Sequence, residues 1–313
     1  MALDPVRVAV FGAGAVGCFY GGMLARAGHE VVLIGRPGHV DAIRASGLHF
    51  EGLSFDEHIR LAASTQPDAV RGARLVLVCV KSSDSERAAA EIAPFLESDA
   101  IVANLQNGVD NAERIEAVIR RPVIPAVVYV ATEMAGPGHL KHHGRGELVI
   151  GALDAAPPLA LREALARVQR WFGEAGVAVA ISDNVAGELW AKLVVNCAYN
   201  AISAISQLPY GEMIGGVAVR EVMRDVVAET LAVAAASGVR TAPELVDNVY
   251  RIAEWMPTQY SSTAQDLQRG RPTEIDHLNG FVVRRGDALG VPVPANRVLY
   301  ALVKLIESKG HPS

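Results

Sequence analysis

The run VRVAVF, Val6 to Phe11, passes directly into GAGAVG, Gly12 to Gly17, and then into a helix-like segment, CFYGGMLARAGH, that ends near Gly28. The first run is short and β-branched, as in a strand buried on both faces of a parallel sheet. A G-x-G-x-x-G placed between such a strand and a helix is the pattern of a dinucleotide-binding α/β unit. Gly12 meets the demand for a tight turn, Gly14 lets backbone approach a pyrophosphate, and Gly17 lets helix and strand pack closely. With Ala13, Ala15 and Val16 they make the expected phosphate cradle, backed by the oriented N–H groups of the helix N-terminus. Glycine- and alanine-rich loops produce the motif by accident, but here a second strand, EVVLIG, follows and closes a unit of about thirty residues.

The end of that second strand bears on which dinucleotide is bound. A site for the ribose 2′-hydroxyl would place an acidic residue there, whereas this chain has Gly35 and Arg36, with no carboxylate until Asp41. A guanidinium suits a 2′-phosphate, so NADP(H) is expected; a merely solvated loop charge is the alternative. Two more buried strands follow, ARLVLVCVK ending at Lys81 and AIVANLQNGV ending at Asn107 and Gly108. Ligands of open α/β sheets sit outside the carboxyl ends of strands, which would set Lys81 and Asn107 over the nicotinamide half of the cofactor. Either could instead be a polar strand terminus or a turn former. Beyond Val123, VIPAVVYVAT, GHLKHHG and GELVIGAL read as short strands divided by glycine and proline, an antiparallel addition to the sheet edge. His139, His142 and His143 cluster there without an acidic or cysteine partner at metal-ligand spacing, so exposed edge histidines and no metal are expected.

With 313 residues the chain has room for two domains. A helix-strand pair over residues 157–181 closes the first, so the boundaries expected are 1–181 for a Rossmann-type α/β domain and 182–313 for an all-α domain. Helical periodicity runs over 217–236, 243–254, 261–269, 273–289 and 294–307, with proline or glycine between segments. The charge of −5, from 29 basic and 34 acidic residues, includes no basic block that would track a phosphate backbone, which argues against a nucleic-acid partner. No apolar run approaches the roughly 20 residues of a membrane span. The start has Asp4 ahead of the apolar run and a glycine turn where a signal peptide would continue, so a cytoplasmic protein is expected. Cys18, Cys79 and Cys197 are odd in number and set in apolar segments, as small core residues. Bulky apolar surface on a helical domain would make a homodimer reasonable.

The segment WAKLVVNCAYNAIS, Trp190 to Ser203, carries Lys192, Asn196 and Asn200 at intervals of four in otherwise apolar surroundings. In a helix these three project from one flank, and a helix buried nearly all round must give a lysine a reason to be there. Snorkelling and helix cross-linking would each serve. A lysine facing the cleft between two domains, a preferred place for small-molecule sites, would serve catalysis instead.

VAVFGAGAVGCFYGGMLARAGHEV with Arg36, VLVCVKS with Lys81, LQNGVDN with Asn107, LWAKLVVNCAYNAISAI, and the stretch from SSTAQD through RPTEID to VPAN together resemble the ketopantoate reductase family (2-dehydropantoate 2-reductases). The resemblance spans nearly the whole chain in order. It implies a C-terminal domain like that of 6-phosphogluconate dehydrogenase and NADPH-dependent reduction of a 2-keto acid to a 2-hydroxy acid, with ketopantoate giving pantoate for pantothenate biosynthesis. It further implies that Lys192 is the catalytic lysine and Glu274 the active-site glutamate, which also lies near the cofactor. Asn196, Asn200, Ser262 and Asn107 are implied to bind substrate, Lys81 and Asn107 to lie near the nicotinamide, and Arg36 to bind the 2′-phosphate. Gln259 stands where pantoate-forming members can carry a substrate-binding asparagine, which leaves the keto acid open. A relative acting on another branched or aromatic 2-keto acid is the main alternative, and a non-catalytic NADP(H) sensor a lesser one.

Overall fold

In the computed structural model, which describes residues 5–310, the chain divides into two compact units, one ending at Val185 and the other beginning at Ala186. The first contains, in order, β1 (Arg7–Phe11), α1 (Ala15–Arg26), β2 (Glu30–Ile34), α2 (Pro37–Ser46), β3 (Leu48–Glu51), β4 (Asp56–Ile59), β5 (Ala62–Ser64), β6 (Leu75–Val78), α3 (Ser85–Ile92), β7 (Ile101–Asn104), α4 (Asn111–Ile119), β8 (Val123–Gly136), β9 (His139–Gly151), α5 (Leu159–Glu174) and β10 (Val179–Ser182). One sheet runs in the order β4-β3-β9-β8-β7-β6-β1-β2-β5, with β10 added to β9. From β5 to β8 every pairing is parallel. β1 and β6 to β7 are apolar along almost their whole length and nearly all buried, as strands covered on both faces must be.

The chain leaves β1 for β2 on one side and later returns to β6 on the other. The strand order therefore reverses at β1, and the carboxyl ends of β1 and β6 flank the switch point where doubly wound sheets bind ligands.

Two expectations about the rest of this unit are corrected. The segments after Val123 are not short strands: β8 and β9 span 14 and 13 residues and pair antiparallel, with register shifts that absorb their irregular positions. Nor is β9 at an edge, because β3 and β4 lie outside it. Its histidines have acidic or main-chain partners. His139 lies 3.2 Å from Glu51, His143 3.1 Å from Glu133, and His142 Nε2 2.7 Å from the Arg145 carbonyl. His58, His49 and His139 stack as a ladder across three strands. Among the described residues no cluster of three or more potential ligands is suited to a metal ion.

The second unit is helical: α6 (Val185–Ser206), α7 (Tyr210–Met213), α8 (Val219–Ala236), α9 (Leu245–Trp255), α10 (Ser262–Gln268), α11 (Asn279–Leu289) and α12 (Pro294–Gly310). The helix expected over 273–289 is interrupted. A 3-10 turn covers Ile275–His277, and Leu278, at φ −110° and ψ −107°, departs from helical geometry before α11 begins. Among the described residues no helix is long and apolar enough to cross a membrane.

Candidate active site

Gly12 has φ +119°, a conformation that glycine adopts without strain, and a Cβ there would lie 2.6 Å from the carbonyl carbon of Cys79 at the end of β6. A Cβ on Gly17 would lie 2.1 Å from the Gly12 carbonyl oxygen. Strand, loop and helix thus pack backbone to backbone, and at these two positions only glycine fits. Gly14 is different: a Cβ there would meet nothing within 4 Å, and no side chain caps α1 at this residue. The N-terminus of α1 is left without a side-chain cap and with open space at Gly14, which fits the pyrophosphate of a dinucleotide. Gly12 and Ala13 both donate main-chain N–H groups to the Ile34 carbonyl, at 2.9 and 3.0 Å, which draws the cradle against the end of β2. Ala15 and Val16 open α1 behind it.

Arg36 is exposed immediately after β2, and its carbonyl accepts from His39 and Val40 at 3.1 Å each at the start of α2. Arg36 thus stands on an anchored backbone, one residue after Gly35, which lies against Ala13 of the glycine loop.

Lys81 and Asn107 follow the carboxyl ends of β6 and β7, and a buried polar cage joins their loops. Its centre is Asn111, which is 1% exposed. Asn111 Nδ2 donates to the Asn107 carbonyl at 2.6 Å and to Ser82 Oγ at 3.2 Å, and its Oδ1 accepts from Ser85 Oγ and Arg114 Nη1. Both hydrogens and both lone pairs of the amide are engaged. Ser82 Oγ also donates to the Asn107 carbonyl at 2.8 Å, Gln106 Nε2 to the Val80 carbonyl at 2.9 Å, and Arg114 reaches the Ser82 carbonyl while pairing with Glu86. Sequence reasoning missed Ser82 and Asn111. The one available signal was their spacing, one residue after Lys81 and one helical turn after Asn107.

In the helical unit α6 does carry Lys192, Asn196 and Asn200, but it is not buried on all sides. Glu188, Lys192, Val195 and Asn196 form a half-buried flank, and Asn200 is buried, at 4% exposure. The polar groups thus run from a partly open end into the core. Two side chains from outside α6 hold it by its carbonyls, and one of its own, Tyr199, reaches the main chain of α9. Ser261 Oγ donates to the Asn200 carbonyl at 3.2 Å, Asn279 Nδ2 to the Cys197 carbonyl at 3.2 Å, and the Tyr199 hydroxyl to the Val249 carbonyl at 2.8 Å. Ser261 caps α10 by accepting from Ala264 N–H at 3.0 Å, and Ser262 is the exposed first residue of that helix. Asn200 and Ser262 are thereby brought together through Ser261, another residue that the sequence left unmarked.

Gln259 turns its amide onto its own chain, donating to the Tyr260 carbonyl at 2.7 Å. Glu274, half-buried, precedes the 3-10 turn, and the residues flanking it are tied to α12 rather than to α6. The three cysteines are free. Burial pushes the Cys18 thiol up to about 12 and those of Cys79 and Cys197 well above the usual range, so none is a thiolate nucleophile.

Residues 8–155 match the family model described as "Ketopantoate reductase PanE/ApbA", and residues 184–307 match "Ketopantoate reductase PanE/ApbA C terminal". The chain belongs to the ketopantoate reductase family. It is 32% identical over 307 residues to a 2-dehydropantoate 2-reductase of Pyrococcus horikoshii, covering 97% of this chain and 99% of that one. A 2-dehydropantoate 2-reductase of Vibrio cholerae is 30% identical, with 96% and 98% covered. Among solved structures, a PanE/ApbA family ketopantoate reductase from Ralstonia eutropha JMP134 superposes with a TM-score of 0.91 at 59% identity, covering 97% of this chain and 99% of its own. A D-mandelate dehydrogenase in ternary complex with NADH and anilino(oxo)acetate superposes at 0.90 with 26% identity, again with 97% and 99% covered. Membership in this family, with the cradle at Gly12 to Gly17, implies a nicotinamide dinucleotide cofactor.

Proposed function

We propose that this chain reduces the C2 ketone of a 2-keto acid to a 2-hydroxy acid with NADPH, and that its substrate is 2-dehydropantoate, the keto acid named for its relatives in Pyrococcus horikoshii and Vibrio cholerae. The observation that carries the reading is the single flank of α6 bearing Lys192, Asn196 and Asn200, fastened through Ser261 to the helix that presents Ser262. A bound nicotinamide supplies hydride to the ketone carbon. Lys192 offsets the negative charge that grows on the ketone oxygen and delivers the proton from Nζ. The amides of Asn196 and Asn200 and the hydroxyl of Ser262 offer donors to the substrate's oxygens. Lys81 and Asn107 attend the nicotinamide end, and Arg36 takes the 2′-phosphate. Three free thiols, two of them buried, suit a reducing compartment, and the cytoplasm is the proposed location.

Gln259, together with the likeness to a D-mandelate dehydrogenase, favours a second reading in which the keto acid is aromatic or otherwise bulky. Turnover against 2-dehydropantoate, branched 2-keto acids and benzoylformate, each with NADPH and NADH, decides among these. The first reading expects the largest kcat/KM for 2-dehydropantoate with NADPH. Arg36→Ala should erode the preference for NADPH by about 1.5 to 3 kcal/mol, the scale of a charge-assisted bond. Equal wild-type affinity for both cofactors would remove the assignment of Arg36.

A further inference from the structure

The segment that carries Glu274 is gripped on both sides by one flank of α12. Thr273, just before it, gives its main-chain N–H and its hydroxyl to Glu307 Oε1, at 2.8 and 2.5 Å. Asp276, two residues after it, accepts from the Tyr300 hydroxyl at 2.6 Å and from Lys304 Nζ at 2.9 Å. Lys304 Nζ also lies 2.8 Å from Glu307 Oε2 and so bridges the two carboxylates. Arg284 adds a bond of 2.8 Å to the Asp276 carbonyl. Spacings of four and three place Tyr300, Lys304 and Glu307 on one side of the helix.

The grip acts on backbone as well as side chains. The Thr273 hydroxyl accepts from Ile275 N–H at 3.2 Å while it donates to Glu307, and Ile275 is fully buried beneath the turn. Glu274 lies between two tethered residues at φ −98° and ψ 19°, outside any helix. Its backbone has little freedom to redirect the carboxylate. The Glu307 side chain is only 13% exposed, and Lys304 pairs with both it and Asp276. Burial pushes the Asp276 carboxyl up, yet the Tyr300 hydroxyl and the Lys304 ammonium hold it below the usual carboxylate range. Asp276 is therefore ionised at neutral pH.

We infer that Tyr300, Lys304 and Glu307 are positioning residues that aim Glu274 for the reduction. The inference rests on the reading of Glu274 as an active-site carboxylate. A carboxylate misdirected by a fraction of an ångström to an ångström loses its effect on a proton donor without any change in cofactor binding.

The test compares Glu307→Ala, Glu307→Gln, Lys304→Met, Glu274→Gln and the double variant Glu274→Gln/Glu307→Ala in the full-length enzyme. Each is followed by kcat, KM for the keto acid, NADPH affinity and the pH profile of kcat/KM. Glu307→Ala should lower kcat about tenfold or more with NADPH affinity unchanged, and should displace the pH profile in the same direction as Glu274→Gln. Glu307→Gln keeps an acceptor for Thr273 and should recover most of the loss. The double variant should be no slower than Glu274→Gln alone, because a clamp has nothing left to aim. Kinetic effects that multiply in the double variant, or a Glu307→Ala enzyme within twofold of wild type while Glu274→Gln is impaired, overturn the clamp alone. An unimpaired Glu274→Gln overturns the reading of Glu274 and the clamp with it. Should Glu307→Ala not fold, Lys304→Met must show the same lowered kcat and displaced profile, and wild-type values there refute the inference.

Discussion

The hydroxyl of Ser261 donates to the main-chain carbonyl of Asn200 at 3.2 Å while it accepts from the N–H of Ala264 at 3.0 Å. One buried side chain thus starts α10 and fastens it to α6. Ser261→Ala should cost about 1 to 2 kcal/mol of stability, the scale of a lost N-cap, measured by urea unfolding. It should also raise KM for the keto acid more than it lowers kcat, since α10, which begins at Ser262, loses its tie to α6. Lost stability with an unaltered KM would reduce Ser261 to a cap and nothing more.

Lys192 is half-buried on the open flank of α6. Lys192→Ala should lower kcat by at least about 10²-fold while NADPH titration and thermal unfolding stay near wild type. Lys192→Arg keeps a charge that does not release its proton at working pH, so it should remain slow. A Lys192→Ala enzyme retaining more than about a tenth of wild-type kcat would end the assignment.

Two glycines of the cradle should respond in opposite ways. Gly17→Ala drives a methyl group to 2.1 Å from the Gly12 carbonyl oxygen, and a backbone atom must move, at a cost of about 1 to 3 kcal/mol in stability. Gly14→Ala meets no protein atom within 4 Å, so the fold should keep its Tm while the methyl group occupies space meant for the pyrophosphate. NADPH affinity should fall in both, but only Gly17→Ala should melt earlier. An unchanged NADPH Kd in Gly14→Ala would place the pyrophosphate elsewhere.

His29 is buried, and its Nδ1 accepts from Val6 N–H at 3.3 Å. Burial pulls its pKa below the ordinary value, against the smaller opposing effects of the Trp171 backbone and Glu174. The unfolded chain protonates this ring near pH ~6.5 and the folded chain only at lower pH. Its contribution to stability is full above about 6.5 and is lost as the pH falls below that value. Urea midpoints between about pH 5 and 8 should therefore drop on the acid side, and His29→Gln should flatten that drop. Equal slopes in the two proteins would assign the effect to other groups.

The glycine cradle was legible because Gly12 and Gly17 answer backbone demands that no other residue meets, in a fixed spacing between strand and helix. Strands β1, β6 and β7 were legible because burial on both faces leaves unbroken apolar runs. The long pair β8 and β9 was not. Pro125, Gly144 and Gly146 look like breaks in a sequence, yet pairing tolerates them through bulges and through the positive φ of both glycines. The interruption before α11 also escaped notice, since local periodicity continues through it and the residues that shape the turn lie about thirty positions away in α12. On α6 the polar stripe was visible, but its open flank depends on which neighbouring helices cover it. Ser82 and Ser261 went unmarked for a related reason: their bonds run to main-chain carbonyls distant in sequence, and Asn111, though one turn from Asn107, meets its other partners Ser82 and Ser85 only through the fold.

Gly35 follows β2 directly, and a Cβ there would fall 2.6 Å from the Cβ of Ala13. That contact constrains the order in which this lineage could exchange one cofactor for the other. An acidic residue that grips a ribose hydroxyl is shut out of position 35 while Ala13 remains, so a single substitution there yields a damaged cradle rather than a new preference. The passable routes begin with Ala13→Gly, which removes the closest contact and leaves main-chain atoms at 3.3 and 3.4 Å, or bypass position 35 by changing Arg36. Laboratory selection for NADH use should fix one of those two steps first, before any acidic substitution at position 35.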